Sequence, residues 1–202
     1  NMVNLSLDLY RMERGNYHFR PQPVELLPLV ERVARDLREH AAVKHVRIRV
    51  FANGHETPVR ERLFAWAEEV LCYSILANLM KNAVEASPDN GEIRLDVNIN
   101  NTVNVRIHNA GAVPEALRER FFEKYSSVGK AGGSGLGTYS ARLIARVQEG
   151  ELDMTTSNEA GTTLMLTLQT VPDDVPLPQI PVVEVSRDPA QAVTLPGASA
   201  SE

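Results

Sequence analysis

The chain has 202 residues, with 43% hydrophobic and 23% charged side chains, an ordinary balance for a globular protein long enough to bury a sizeable core. It contains no run of eighteen apolar residues that would read as a membrane-spanning helix, and its single Cys72 excludes an internal disulfide and fits a reducing compartment. The formal charge of −5 is uneven: residues 171–202 carry −4 of it, so the rest is near −1 and gives no support for a nucleic-acid partner.

Residues 2–19 read as a helix, with Leu5, Leu9 and Met12 at i, i+4 and i+7, until Pro21 and Pro23 stop it. The uncapped start looks like the end of a longer element. A second helix is expected at about 24–41, with Leu26, Val30, Val33 and Leu37 on one stripe. Val46 to Val50 alternates as a half-buried strand, and Asn53-Gly54 marks a turn. A long helix is expected over 63–86, ending before Pro88. Glu92–Ile99 and Val103–Ile107 read as a hairpin joined around Asn100-Asn101. Residues 109–133 read as an irregular connection, 134–148 as a helix with Leu136, Leu143, Ile144 and Val147 inward, and 151–156 and 162–169 as two last strands. Six of the twelve prolines fall in 171–202, which has no aromatic residue and no period, and reads as a flexible, extended tail. The order of elements predicts an α+β fold: a two-layer α/β sandwich with a mixed, mostly antiparallel sheet and helices on one face.

Two segments carry chemistry. On the long helix, Asn78, Lys81, Asn82 and Glu85 fall at i, i+3, i+4 and i+7 and form a polar stripe. Asparagine is a poor helix former, and two of them four residues apart can offer amide oxygens to one metal ion when phosphates supply the other ligands. Downstream, five of the twelve glycines lie between Gly129 and Gly137, at the opening of a helix. Bare backbone N–H groups at a helix start, added to the helix dipole, favour anions. The segment is not a P-loop, because the Lys-Ser/Thr ending is missing, and no parallel strand leads into it as in a dinucleotide fingerprint.

With these motifs in order, the chain resembles the ATP-binding catalytic domain of sensor histidine kinases, within the GHKL (Bergerat) superfamily shared with Hsp90-like, gyrase and MutL ATPases. Asn78-Leu79-Met80-Lys81-Asn82-Ala83 resembles the N box, His108-Asn109-Ala110-Gly111-Ala112-Val113-Pro114 the first glycine box, and Phe121-Phe122-Glu123-Lys124-Tyr125 the F box. Gly133-Ser134-Gly135-Leu136-Gly137-Thr138 resembles the second glycine box and Gly161-Thr162-Thr163 the last, so the likeness covers roughly 24–170.

The resemblance implies ATP and Mg²⁺ as cofactors. Asn82 would bind Mg²⁺ with Asn78 assisting, and Lys81 would lie at the edge of the site. Residues 112–132 would form a mobile lid over the nucleotide, poorly ordered when it is empty. Within it Tyr125 would cover the base or ribose and Lys130 would reach the phosphates. The N–H groups of Gly135, Leu136 and Gly137 would cradle the phosphates, and Thr162 would close the adenine pocket.

The domain layout it implies is 1–20 as the C-terminal part of a dimerisation and phosphoacceptor helix with its linker, 21–170 as the catalytic domain, and 171–202 as the tail. The implied partners are ATP and ADP, the protein's own dimerisation domain, a response-regulator receiver domain and a second copy in a full-length homodimer. The domain would be cytoplasmic, in a full-length protein compatible with membrane anchoring.

Two departures stand out. Asn109 replaces the usual Asp and the box is one residue short; a neutral oxygen accepts a weaker bond, so Asn109→Asp is expected to bind adenine nucleotides equally or more tightly. The acceptor motif is imitated only by His55-Glu56-Thr57-Pro58, which lies after a strand and beside a turn; none of the five histidines has an acceptor context. The readings kept beside the kinase are a non-catalytic nucleotide-binding or interaction module and a GHKL ATPase; the latter needs a Glu where Asn78 stands, since an amide cannot serve as a base.

Overall fold

The computed structural model describes residues 2–58, 61–126 and 135–179. Helix α1 spans Met2–Glu13. It ends earlier than the proline-based boundary near 19 because Gly15 takes a left-handed φ of 68° and closes the helix: Gly15 N–H bonds to Met12 and Asn16 N–H to Arg11. Leu9 and Met12 pack against the core, and the side chain of Leu5 lies outside the described residues.

The helix expected at 24–41 is three elements. Gln22–Glu25 is strand β1, Leu26–Asp36 is α2 and Arg38–Val43 is α3. Strand β2 is Arg47–Ala52, and His55–Glu56 is the two-residue β3. The helix expected from 63 begins only at 69. Phe64–Ala67 is β4, which pairs antiparallel with β1, and Glu69–Ala86 is α4. That pairing joins residues some forty positions apart, so no local period reveals it. Glu68 marks the break: its backbone is extended, and its carboxylate accepts Tyr17 Oη at 2.9 Å and Arg20 N at 2.6 Å.

The remaining elements are β5 (Glu92–Ile99), β6 (Val103–Asn109), the short α5 (Glu115–Arg118), α6 (Gly137–Val147), β7 (Glu151–Ser157) and β8 (Gly161–Leu168). The six-stranded sheet has the order β3-β2-β5-β6-β8-β7 and is antiparallel except where β2 runs parallel to β5. Its inner face, with Leu95, Val97, Val105, Ile107, Leu164 and Leu166, packs on Ile75, Leu79 and Met80 of α4 and Ala141 and Ile144 of α6, all buried. Full burial of one such aliphatic side chain contributes about 1.5–3 kcal/mol.

The other face carries charge. Asp96 is buried between Arg94, at 2.8 Å, and Arg106, at 3.8 Å. Arg49 pairs with Glu56 at 2.6 Å, and Phe51 lies beneath the guanidinium of Arg94 at 3.7 Å. After β8, Gln169 bridges to Trp66 and the Pro178 carbonyl accepts Arg62 Nη1 at 2.7 Å, so residues 171–179 of the expected tail run back beside β4. The rest of that tail, 180–202, lies outside the described residues.

Candidate functional site

Helix α4 buries Ile75, Leu76, Leu79, Met80 and Ala83 and turns its asparagines toward the start of α6. A methyl built on Gly137 would stand 3.5 Å from Asn78 Oδ1 and 3.8 Å from Asn82 Nδ2. The missing side chain leaves a hollow walled by two amides and by the first turn of α6, whose N–H groups have no partner within the helix. A half-turn of the Asn82 amide presents its oxygen to the same space. Amide oxygens beside a helix N-terminus suit a hard divalent cation brought in with phosphate oxygens, so the residues present fit Mg²⁺ with a nucleotide polyphosphate. Lys81 is exposed and pairs with Glu85 at 4.0 Å.

The end of α4 sets the far side of the site. Lys44 Nζ donates to the carbonyls of Glu85 and Ser87, and Ser87 Oγ caps Ala83 at 2.7 Å. This brings the Ala86 carbonyl against Gly111, where a Cβ would lie 1.9 Å from it; only glycine fits. The Gly111 carbonyl accepts from Asn109 Nδ2 at 3.2 Å and from Thr162 Oγ1 at 2.7 Å. Asn109 and Thr162 are buried partners across β6 and β8.

Proton counting gives this cluster a direction. A hydroxyl donates once, and Thr162 spends its proton on Gly111. Thr156 must therefore donate in the 2.9 Å contact with Thr162, while Val113 N–H donates to Thr156 at 3.0 Å. One of the two N–H groups of the Asn109 amide is also engaged, so its second N–H, Asn109 Oδ1 and one lone pair of Thr162 are what remains for a ligand. The two oxygens are acceptors, and they match a ligand amino group.

The F-box segment sits on α6. Thr138 Oγ1 donates to the Phe121 carbonyl at 2.7 Å, so Thr138 ties the F box to the helix. Phe121 and Phe122 meet edge to face at 5.0 Å, and the Arg142 guanidinium stacks on Phe122 at 4.5 Å. Tyr125 is exposed, has a φ of 61°, and its N–H donates to the Gly135 carbonyl at 3.1 Å. Gly135, with φ 63°, precedes α6 rather than lying in its first turn, and a Cβ there would fall 2.7 Å from the Tyr125 carbonyl carbon. Leu136 is exposed, and its carbonyl accepts both the N–H and the hydroxyl of Ser140. Lys130, Gly133 and Ser134 lie outside the described residues.

The connection expected to be irregular over 109–133 begins in order. Beside the bonds at Gly111 and Val113, Arg118 reaches the Val113 carbonyl at 3.0 Å and Asn158 Oδ1 at 2.8 Å. Thr156 and Arg118 are the contributors that sequence reading missed. The repeated Thr-Thr pairs at 155–156 and 162–163 were the available signal for the first; Arg118 had none. His55 stands exposed on the edge strand β3, with Glu56 held by Arg49. Cys72 is buried, its thiol pushed up to about 12 by burial, as expected of a core residue.

The family described as histidine kinase-, DNA gyrase B-, and HSP90-like ATPase matches residues 67–172. Histidine protein kinase SaeS of Staphylococcus aureus (strain USA300) is 36% identical over 106 residues, covering 46% of this chain and 29% of SaeS, so the match spans less than a third of that relative. Among solved structures, histidine kinase AdeS of Acinetobacter baumannii has a TM-score of 0.67 at 12% identity, over 84% of this chain and 77% of AdeS. Full-length ShkA in complex with AMPPNP has a TM-score of 0.68 at 21% identity, over 84% of this chain and 35% of ShkA. The catalytic domain of histidine kinase ThkA, nucleotide free, has 0.61 at 24% identity, over 75% and 96%. These structural likenesses agree on the fold, a mixed and mostly antiparallel sheet with its helices. Because the family match covers more than half of the residues and contains the Asn78–Asn82, Asn109–Thr162 and Gly137 geometry, the chain belongs to the histidine kinase-, DNA gyrase B-, and HSP90-like ATPase family.

Proposed function

We propose that this chain is the ATP-binding kinase domain of a two-component sensor histidine kinase, which passes the ATP γ-phosphate to a histidine on a dimerisation helix that is not among its own five histidines. The observation that carries the reading is the pairing of two complementary ends. The acceptor oxygens of Asn109 and Thr162 suit the adenine amino group, and the Gly137 hollow beside Asn78 and Asn82 suits Mg²⁺ with the phosphates. Mg²⁺, when bound, offsets phosphate charge during transfer. The chain's own part is to hold and orient: Asn82 and Asn78 keep the cation, and the N–H groups of Gly135, Leu136 and Gly137 bind phosphate oxygens. Tyr125 covers the nucleotide, and Lys130, Gly133 and Ser134 are assigned to the phosphates by the motif alone. Transfer is then favoured by positioned charge rather than by a protein nucleophile.

In this proposal residues 1–20 continue from a dimerisation helix, 21–170 form the catalytic unit and 171–202 a tail; the full protein is a homodimer that hands phosphate to a receiver domain. A water-activating ATPase is disfavoured, because the side chain at the hollow is the amide of Asn78.

Calorimetry and γ-labelled ATP test the proposal. The chain should bind ATP in the presence of Mg²⁺ and acquire no acid-labile label, while a separately added acceptor helix becomes labelled. Absence of ATP binding, or label on His55, would overturn it.

Asn109→Asp has a consequence that the sequence alone does not display. The variant loses the Nδ2 bond and turns a carboxylate oxygen toward the Gly111 carbonyl. Stability without nucleotide should fall by about 1–3 kcal/mol, while ATP affinity is kept or tightened by the charged acceptor. Thermal melts with and without ATP read both effects; a loss of affinity would show that the base is held elsewhere.

A further inference from the structure

We propose that Glu13 is a positioning residue for the nucleotide site, acting through Lys124 and Tyr139, so that the docking of α1 and the binding of nucleotide are coupled; this rests on the nucleotide reading above. Glu13 is the last residue of α1, where a carboxylate opposes the helix dipole. Its position makes sense through its partners. One oxygen, Oε1, accepts Lys124 Nζ at 2.7 Å and Tyr139 Oη at 3.2 Å, and the Lys124 ammonium lies over the Tyr139 ring at 4.9 Å. Next to it, buried Met12 anchors the same end of α1. The Lys124 ammonium holds the Glu13 carboxyl below the usual carboxylate range, and Glu13 raises Lys124 in turn.

The two partners stand on either side of the glycine turn. Lys124 precedes Tyr125, whose N–H is bonded to Gly135 and whose backbone leaves no room for a side chain there. Tyr139 is in the first turn of α6, two residues beyond Gly137 and its hollow. A single carboxylate thus braces, from the α1 side, the F-box segment and the helix start that the Thr138–Phe121 and Tyr125–Gly135 bonds already join and that flank the phosphate end of the site. A shift of α1 that withdraws Glu13 loosens both, and nucleotide that fixes both strengthens the hold on Glu13, since coupling between two sites is reciprocal.

The test uses the whole chain with Glu13→Ala, Lys124→Met, their double variant and the charge swap Glu13→Lys with Lys124→Glu. Each single change should speed hydrogen exchange at the Tyr125 amide and in the first turn of α6 without nucleotide. Each should also weaken ATP binding by about 5–10-fold, at the low end of ordinary coupling. The double variant should be no worse than either single, and the swap should restore most of the affinity. Unchanged exchange in both single variants, or additive losses in the double, would overturn the coupling. A parent chain that fails to bind ATP would instead overturn the nucleotide reading, and the exchange measurement would still decide whether Glu13 positions the F-box segment and the start of α6.

Discussion

Asn82→Ala should abolish Mg²⁺-dependent ATP binding and leave the protein folded. The side chain is half-buried on the polar stripe of α4, and the residues that hold this helix to the sheet, Leu79, Met80 and Ala83, lie beside it and are untouched. Truncation removes one of two amides that face the Gly137 hollow and leaves Asn78 alone to meet a cation. Loss of a single supporting group around a metal ligand already costs about 10–100-fold in affinity, and loss of a ligand itself should exceed that. The melting curve should stay within about 0.5 kcal/mol of the parent, as for a surface substitution. Calorimetry with ATP, with and without Mg²⁺, checks the result: unchanged affinity with a normal melt would remove Asn82 from the site.

The second large effect is on stability. Gly161→Ala forces a left-handed φ of 74° on an L-residue and places a methyl 2.2 Å from the Asn109 carbonyl oxygen and 2.7 Å from Ala110 Cα. Backbone strain and overpacking together should cost about 2–5 kcal/mol, a large share of the stability of an ordinary domain. The clash lies one residue from Thr162 and directly on Asn109, so stabilisation by ATP should vanish as well. Gly54→Ala is the control, because its φ of 85° carries similar strain but nothing lies within 4 Å of the new methyl. Denaturant unfolding should separate the two variants clearly; equal losses would mean that the approach of β8 to Asn109 relaxes without cost.

Much of the fold was legible because its signals are local. The alternation in β2, β5 and β6, the inward stripe of α4 and the turn between β7 and β8 each depend on a short stretch of sequence. What escaped reading was long-range. Strand β1 exists because β4 pairs with it, and Phe64 to Ala67 could be taken for helix until Glu68, held by Tyr17 and the Arg20 backbone, breaks the run. The site followed the same rule. Asn78 and Asn82 were visible as a helical spacing, and Gly111 and Gly137 as glycines in suggestive places. The reason for Gly111, the Ala86 carbonyl pressed against it, depends on where α4 ends in space. Thr156 and Arg118 have no motif of their own and matter only because their strand and helix meet the first glycine box.

The charged outer face of the sheet has a bearing on how the molecule keeps to itself. A sheet clad with helices on one side offers its other side as a platform for a second sheet, and flat apolar platforms stack. Here Arg49, Arg94 and Arg106 stand across neighbouring strands with Asp96 buried among them and Glu56 at the margin. Two such faces brought together would have to shed the water around each guanidinium and carboxylate. The same ion pairs that fasten one strand to the next therefore make this face costly to dry and poor as a stacking platform, and β3, only two residues long, leaves little edge on its side of the sheet for another strand to extend.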